Sequence, residues 1–204
     1  MQPDPNERQV APTLDGIRRD HVARYEWAAS LLEPGEIVLD IGCGPDPIKL
    51  PPPHTVRGWD MQDGDAQYLA TLDDRSFDTV VSAHCLEHMT DVPVALSNWG
   101  RVLKDGGYLY VLVPSWTFYE RHQWPSHYNA DHKASFDLVD PLQRPPHPFY
   151  TMRDMRRIGL EAGLTLVDAR LELDQYRLDL TWDRDLDQTQ HGALAQCCFI
   201  YLKA

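Results

Sequence analysis

The segment Val38-Leu39-Asp40-Ile41-Gly42-Cys43-Gly44 does most to limit what this chain can fold into. A short, almost continuous apolar run suits a strand covered on both faces, the setting of a parallel sheet. The glycines that close it let the backbone turn sharply and approach a ligand closely. A full helix ordinarily follows such a turn. Here the next residues are Pro45-Asp46-Pro47-Ile48-Lys49-Leu50-Pro51-Pro52-Pro53, and so many prolines permit at most one helical turn.

The rest of the pattern alternates strand and helix. Residues 1–12 read as a loose polar tail, and Leu14 to Leu32 as a helix stopped by Pro34-Gly35. Thr55 to Trp59 is a second strand ending at Asp60, and Phe77 to Ala83 a third. Val92 to Leu103 is an amphipathic helix. A tight turn at Asp105-Gly106-Gly107 leads into a fourth strand, Tyr108 to Pro114. Thr151 to Ala162 reads as a helix with Thr151 as N-cap, Asp154 at the third helical position and Gly163 as C-cap. Leu164 to Leu173 and Ala195 to Leu202 are late strands, separated by a carboxylate-rich segment. The expectation is a single α/β domain over 13–204 with a mostly parallel open sheet and a late antiparallel strand. Residues 115–150, rich in aromatics and histidines, break the rhythm and read as a substrate-side, lid-like insertion.

Composition excludes some classes. A formal net charge of −12 repels a phosphate backbone, so nucleic acid is not expected as a partner. No apolar run approaches the roughly 18 residues of a membrane span. The N-terminus lacks a signal-peptide layout, and a cytoplasmic location is expected. Cys43, Cys85, Cys197 and Cys198 form no C-x-x-C pair and read as core residues.

Asp60 closes a strand 16 residues after Gly44. In an open α/β sheet, ligands bind at the carboxyl ends of the strands. A carboxylate ending the neighbouring strand is placed to accept hydrogen bonds from two vicinal ribose hydroxyls. A dinucleotide fingerprint needs G-x-G-x-x-G, yet Pro47 stands where its third glycine belongs, and there is little helix to meet a pyrophosphate. The expected cofactor has a ribose but no phosphate at this turn.

These residues resemble the class I S-adenosylmethionine-dependent methyltransferases, particularly the UbiE-like group acting on small molecules and glycans. The resemblance spans residues 36–114: VLDIGCG, then GWD with Asp60, GDAQYL at 64–69, SFDTVVSAHCLEH at 76–88 and RVLKDGGYLYVLVP at 101–114. It implies a Rossmann-like sheet, S-adenosyl-L-methionine as cofactor with S-adenosyl-L-homocysteine as product, and methyl transfer to oxygen or nitrogen of a small molecule. Sugars, glycan precursors and secondary metabolites are the implied acceptors. By the same resemblance Asp40, Gly42, Cys43 and Gly44 line the methionine part of the cofactor and Asp60 binds its ribose. Met61 packs on the adenine, Asp65 and Ala66 meet its edge, and His84 closes the pocket. The N-terminal helix, with Arg18, Arg19, His21 and Tyr25, often covers the cofactor in related enzymes, although an exposed helix face explains these residues more simply. One departure concerns the sheet: Asp60 lies five residues before Asp65, which leaves no room for the family's usual helix and third strand. One strand should therefore be missing or vestigial.

An amine acceptor needs only its neutral form, whereas a hydroxyl needs a general base or a metal. The insertion is the place to look for that group. In His127-Tyr128-Asn129-Ala130-Asp131-His132, a helix would set His127 and Asp131 on one face at i, i+4, so that the carboxylate orients the imidazole. His127, Asp131 and His132 are thus the catalytic candidates. A divalent metal held by the same three residues is a less favoured alternative, and histidines hydrogen-bonded within a folded lid are the plain one. Glu87-His88 also invites a metal or acid/base reading, but Leu-Glu-His at this place in the resembled family shapes the pocket, and packing is preferred. Two other functions stay open: a non-catalytic cofactor-binding regulator, and a nucleic-acid methyltransferase. The latter is disfavoured by charge and because Ser82-Ala83-His84-Cys85 stands where an Asn/Asp-Pro-Pro-Tyr/Phe tetrapeptide would be.

Overall fold

Strand formation follows the apolar runs closely. The computed structural model describes residues 36–45, 47–50 and 52–204. The expected tail and the helix bearing Arg18, Arg19, His21 and Tyr25 lie outside them. The described chain runs through β1 (Ile37–Ile41), β2 (Thr55–Trp59) and β3 (Phe77–Ala83), then a single 3₁₀ turn (Leu86–His88). It continues through α1 (Val92–Val102), β4 (Leu103–Pro114), β5 (Ser135–Asp137), β6 (Phe149–Thr151), α2 (Met152–Glu161), β7 (Leu164–Glu172) and β8 (Gln196–Lys203). The main sheet has six strands in the order β2-β1-β3-β4-β8-β7. β2, β1, β3 and β4 are parallel, and β8 runs antiparallel to β4 and β7. No helix among the described residues is long and apolar enough to cross a membrane.

Burial on both faces explains the unbroken apolar character of β1. Leu39 and Ile41 pack with Val80, Leu96 and Trp99 on the side covered by α1 and α2, while Val38 meets Ile48, Val81 and Tyr110 on the other. Each such fully buried side chain contributes about 1.5–3 kcal/mol. All four cysteines are free and buried in this core. β1 connects to β2 on one side and pairs β3 on the other, so the strand order reverses at β1 and opens a crevice at its carboxyl end.

One sequence-based expectation needs adjustment. Asp105-Gly106-Gly107 does not precede the fourth strand; it lies within β4, as an irregularity between the pairs Phe77↔Leu103 and Thr79↔Tyr108. The insertion carries no helix: its regular structure is the parallel pair β5–β6, with Trp116 N–H donating to Phe136 O at 2.7 Å. Its aromatics largely pack on one another. Trp124 stacks on the His147 ring at 3.8 Å between centroids, and Trp116 lies 5.1 Å from the same ring.

β2 is the sheet edge, as expected from the short Asp60–Asp65 spacing. Residues 60–76 form turns in place of a helix and a strand, and side chains satisfy the backbone groups that regular structure would have paired. Arg101 donates to the carbonyls of Leu72 (2.8 Å) and Leu69 (2.9 Å) and pairs with Asp74 at 2.6 Å. The indole N–H groups of Trp99 and Trp59 donate to Ala66 O (2.8 Å) and Gly64 O (3.1 Å). Gln67, buried, accepts from Thr90 Oγ1 and Asp91 N, both at 2.9 Å, and so ties the loop to the start of α1. Replacing Arg101 by Met strands the part-buried Leu72 carbonyl and leaves Leu69 O with the Leu72 amide alone. Arg101→Met is expected to cost about 1–3 kcal/mol, read as a lower urea midpoint at unchanged slope.

At the start of α2, Asp154 Oδ2 accepts from Thr151 N and Thr151 Oγ1, both at 3.0 Å, and pairs with Arg144 at 2.5 Å. Burial pushes this carboxyl up, but the Thr151 amide and the Arg144 guanidinium together hold it below the ordinary aspartate value. A depressed folded-state value adds stability above the unfolded value of about 3.9 and loses it as pH falls through the folded one. Asp154→Asn should therefore lower stability at neutral pH and flatten the fall of the urea midpoint below about pH 4.

Candidate active site

Three successive amides of the glycine turn converge on the end of β2. Gly42 N–H and Cys43 N–H donate to Trp59 O at 2.8 and 3.3 Å, and Gly44 N–H donates to Asp60 Oδ2. Asp60 Oδ1 accepts from Met61 N at 2.7 Å. A carboxylate has about four acceptor sites, so two remain for a ligand. Gly42 has φ +74, and a Cβ there would lie 2.6 Å from Cys85 Cβ, so glycine lets the turn pass the start of the 3₁₀ segment.

A cavity of about 550 Å³ opens at this point. Of the nine residues expected at the cofactor, six line it: Gly42, Asp60, Met61, Asp65, Ala66 and His84. Asp40, Cys43 and Gly44 do not. Asp40 is buried and its Oδ2 accepts from Ile48 N at 2.8 Å, holding the return of the proline segment. The Cys43 thiol is buried and donates to Gly44 O at 3.3 Å, and the Gly44 amide is spent on Asp60. Met61 is 90% exposed at the cavity mouth. Asp65 Oδ1 accepts from Gln67 N at 2.8 Å, which fixes the loop beside it.

A second cavity of about 210 Å³ lies alongside, walled by His84, Glu87, His88, Tyr119, His132 and Gln196 among others. His84 and His88 face both cavities. His84 sits just beyond β3 with φ 54, its amide donating to Leu112 O at 2.9 Å. Glu87 is 1% exposed. The 115–150 insertion is held to it because Lys133 N–H and Ala134 N–H donate to Glu87 O at 2.7 and 3.1 Å.

Charge is concentrated here. Burial works to raise the Glu87 carboxyl, but His84 first, then His132 and His88, outweigh it and hold the group below its ordinary value. Burial likewise works to lower His84, and the facing Glu87 carboxylate overcomes it, leaving the imidazole above its usual value. The Cys85 thiol is pushed far up by burial and by the Glu87 and Asp60 carboxylates, so no thiolate nucleophile is present there.

The expected His127–Asp131 pair is not formed, because residues 127–131 are not helical. His127 Nε2 lies 3.5 Å from Asp185 and lines neither cavity. Asp131 instead meets His88 Nδ1 at 3.2 Å and borders the larger cavity, and His132 borders the smaller one. Glu120 and Gln196, which complete the surroundings of His132 and His84, were not singled out from sequence. Gln196 is 112 residues from His84, and no local pattern marks such a partner.

Comparison with known proteins agrees with this architecture. The profile of a family described as a methyltransferase domain matches residues 47–111. No curated protein matches the chain. Among solved structures, it is similar to an S-adenosylmethionine-dependent methyltransferase from Archaeoglobus fulgidus, at 19% identity over 93% of this chain and 96% of that one, TM-score 0.56. It is also similar to one from Methanosarcina mazei, at 16% identity over 88% and 97% of the two chains, TM-score 0.52. Phosphoethanolamine N-methyltransferase 2 from Haemonchus contortus, solved with S-adenosyl-L-methionine, shares 14% identity over 90% of this chain and 52% of that one, TM-score 0.56. The chain thus has the class I methyltransferase fold, with a methyltransferase domain matched over residues 47–111.

Gly42→Ala should cost about 2 kcal/mol or more, since it adds backbone strain to a clash with Cys85. A urea titration of the purified variant checks this.

Proposed function

We propose that this protein is an S-adenosylmethionine-dependent methyltransferase that moves a methyl group to an oxygen or nitrogen of a small molecule, such as a sugar, glycan precursor or secondary metabolite. The observation that carries this reading is the Asp60 carboxylate. It is folded back onto the Gly42–Gly44 turn, on the wall of a 550 Å³ cavity at the point where the strand order reverses. Its two remaining acceptor positions suit vicinal ribose hydroxyls, and Gly42 lines the same cavity beside it.

S-adenosylmethionine supplies a sulfonium-bound methyl carbon already activated for in-line displacement. The chain's own residues then have three tasks. Asp60 and Asp65 hold and orient the nucleoside, with Met61 over the base and Gly42 beside the methionine part. His84 and His88 form the partition between the cofactor cavity and the acceptor cavity, and so set the line of approach. The Glu87–His88–His132 group takes up or redistributes charge when the acceptor is a hydroxyl. Asp131 acts by orienting His88 and not, as the helical reading had it, His127. A role for His127 finds no geometric support, since it faces Asp185 outside both cavities. The acceptor cavity, about 210 Å³, matches a small acceptor group, and the net charge of −12 disfavours a polyanionic one.

Calorimetric titration tests the reading directly. The folded protein is expected to bind S-adenosylhomocysteine at micromolar concentration, and Asp60→Ala to weaken that binding at least tenfold without altering the circular dichroism spectrum. Folded protein that binds neither S-adenosylmethionine nor S-adenosylhomocysteine removes the proposal.

A further inference from the structure

The least expected feature of the second cavity is its carboxylate. Glu87 is 1% exposed, yet neither of its oxygens has a hydrogen-bond partner among the described residues. A buried ionised carboxylate without donors is costly unless it is paired or ligates a cation. Three imidazoles surround it at distances too long for hydrogen bonds. His84 Nδ1 is 3.6 Å from Glu87 Oε1, and His88 Nε2 and His132 Nε2 are each 4.0 Å from it.

The outer nitrogen of each ring is held by an oxygen. His84 Nε2 lies 2.8 Å from Gln196 Oε1, His88 Nδ1 lies 3.2 Å from Asp131 Oδ2, and His132 Nδ1 lies 2.6 Å from Glu120 Oε1. An imidazole that donates one N–H to a carboxylate or amide oxygen presents its other nitrogen as a lone pair. Metal-ligating histidines are oriented by this outer arrangement. Donor atoms of Glu87, His88 and His132 all lie within 4.8 Å of one another. Ligands bound at about 2.0–2.2 Å from one ion sit roughly 3–4 Å apart, so shifts of less than about 1 Å per side chain would close the site.

We propose that Glu87, His88 and His132 form a binding site for a divalent first-row transition-metal ion such as Zn²⁺. Two imidazoles with one carboxylate disfavour Mg²⁺ and Ca²⁺, which take oxygen ligands. The ion's remaining positions face the acceptor cavity. An acceptor hydroxyl bound there loses its O–H proton to solvent more readily and is left as a metal-held alkoxide, ready to attack carbon. The site therefore points to hydroxyl rather than amine acceptors. That role rests on the methyl-transfer reading above; ion binding does not.

The test uses the full chain, freed of metal by chelator dialysis and checked for folding by circular dichroism. Co²⁺ titration is expected to saturate at a single ion per chain, to give a visible ligand-field band, and to be reversed by Zn²⁺. His88→Ala and His132→Ala should each weaken Co²⁺ binding at least tenfold and change that band, whereas His54→Ala, outside the site, should leave both unchanged. His88 is partly exposed, so its variant decides the matter if His132→Ala fails to fold. No stoichiometric Co²⁺ uptake by folded protein, or a band unaltered by His88→Ala, overturns the proposal. Titration with S-adenosylhomocysteine is run in parallel: its failure alone would overturn the cofactor reading and leave the ion site standing.

Discussion

Three consecutive amides, those of Gly42, Cys43 and Gly44, end on two neighbouring acceptors, the carbonyl of Trp59 and the carboxylate of Asp60. Amide groups beside a buried core cannot be left without partners. The prolines forbid a full helix after the turn, and a helix start would in any case leave these N–H groups without internal partners. The neighbouring strand end supplies the partners instead. This fixes the turn of β1 to the tip of β2, sets Asp60 against the glycines, and leaves the crevice at the strand reversal open. Asp60 thus has a structural task and a spare pair of acceptor positions at once.

The edge of the sheet shows the same substitution of side chains for backbone. Where a larger sheet would add a helix and a strand, residues 60–76 are held by one guanidinium, two indoles and one buried amide. Three of these four groups, those of Arg101, Trp99 and Gln67, connect the loop to α1 or to its N-terminal edge. The loop beside the larger cavity is therefore only as well placed as the packing of α1 on the sheet.

Much of this was legible in the sequence because it is local. β1 and β3 follow their apolar runs, and α2 is announced by the capping side chains of Thr151 and Asp154 and by the left-handed glycine Gly163 beyond its end. The glycine turn and Asp60 are 16 residues apart, within reach of a motif. The second cavity was harder to read. Its parts come from the end of β3, the 3₁₀ turn, the insertion and the start of β8, and periodicity is silent on which histidine meets which acid. The i, i+4 argument for His127 and Asp131 assumed a helix; without one, Asp131 turned to His88 and His127 to Asp185. Glu87-His88 reads as packing by resemblance, because nothing local marks His132, 45 residues on from Glu87, as its neighbour in space.

Because His84 and His88 belong to the walls of both cavities, the two chambers are mechanically joined. Anything that fixes these rings from one side removes freedom that an occupant on the other side would otherwise have to remove itself. Whatever factor occupancy of one chamber applies to affinity for the other is returned in equal measure, as thermodynamic linkage requires. A two-ring partition of this kind makes the order in which guests arrive a matter of rate, while leaving the strength of the filled state independent of the route.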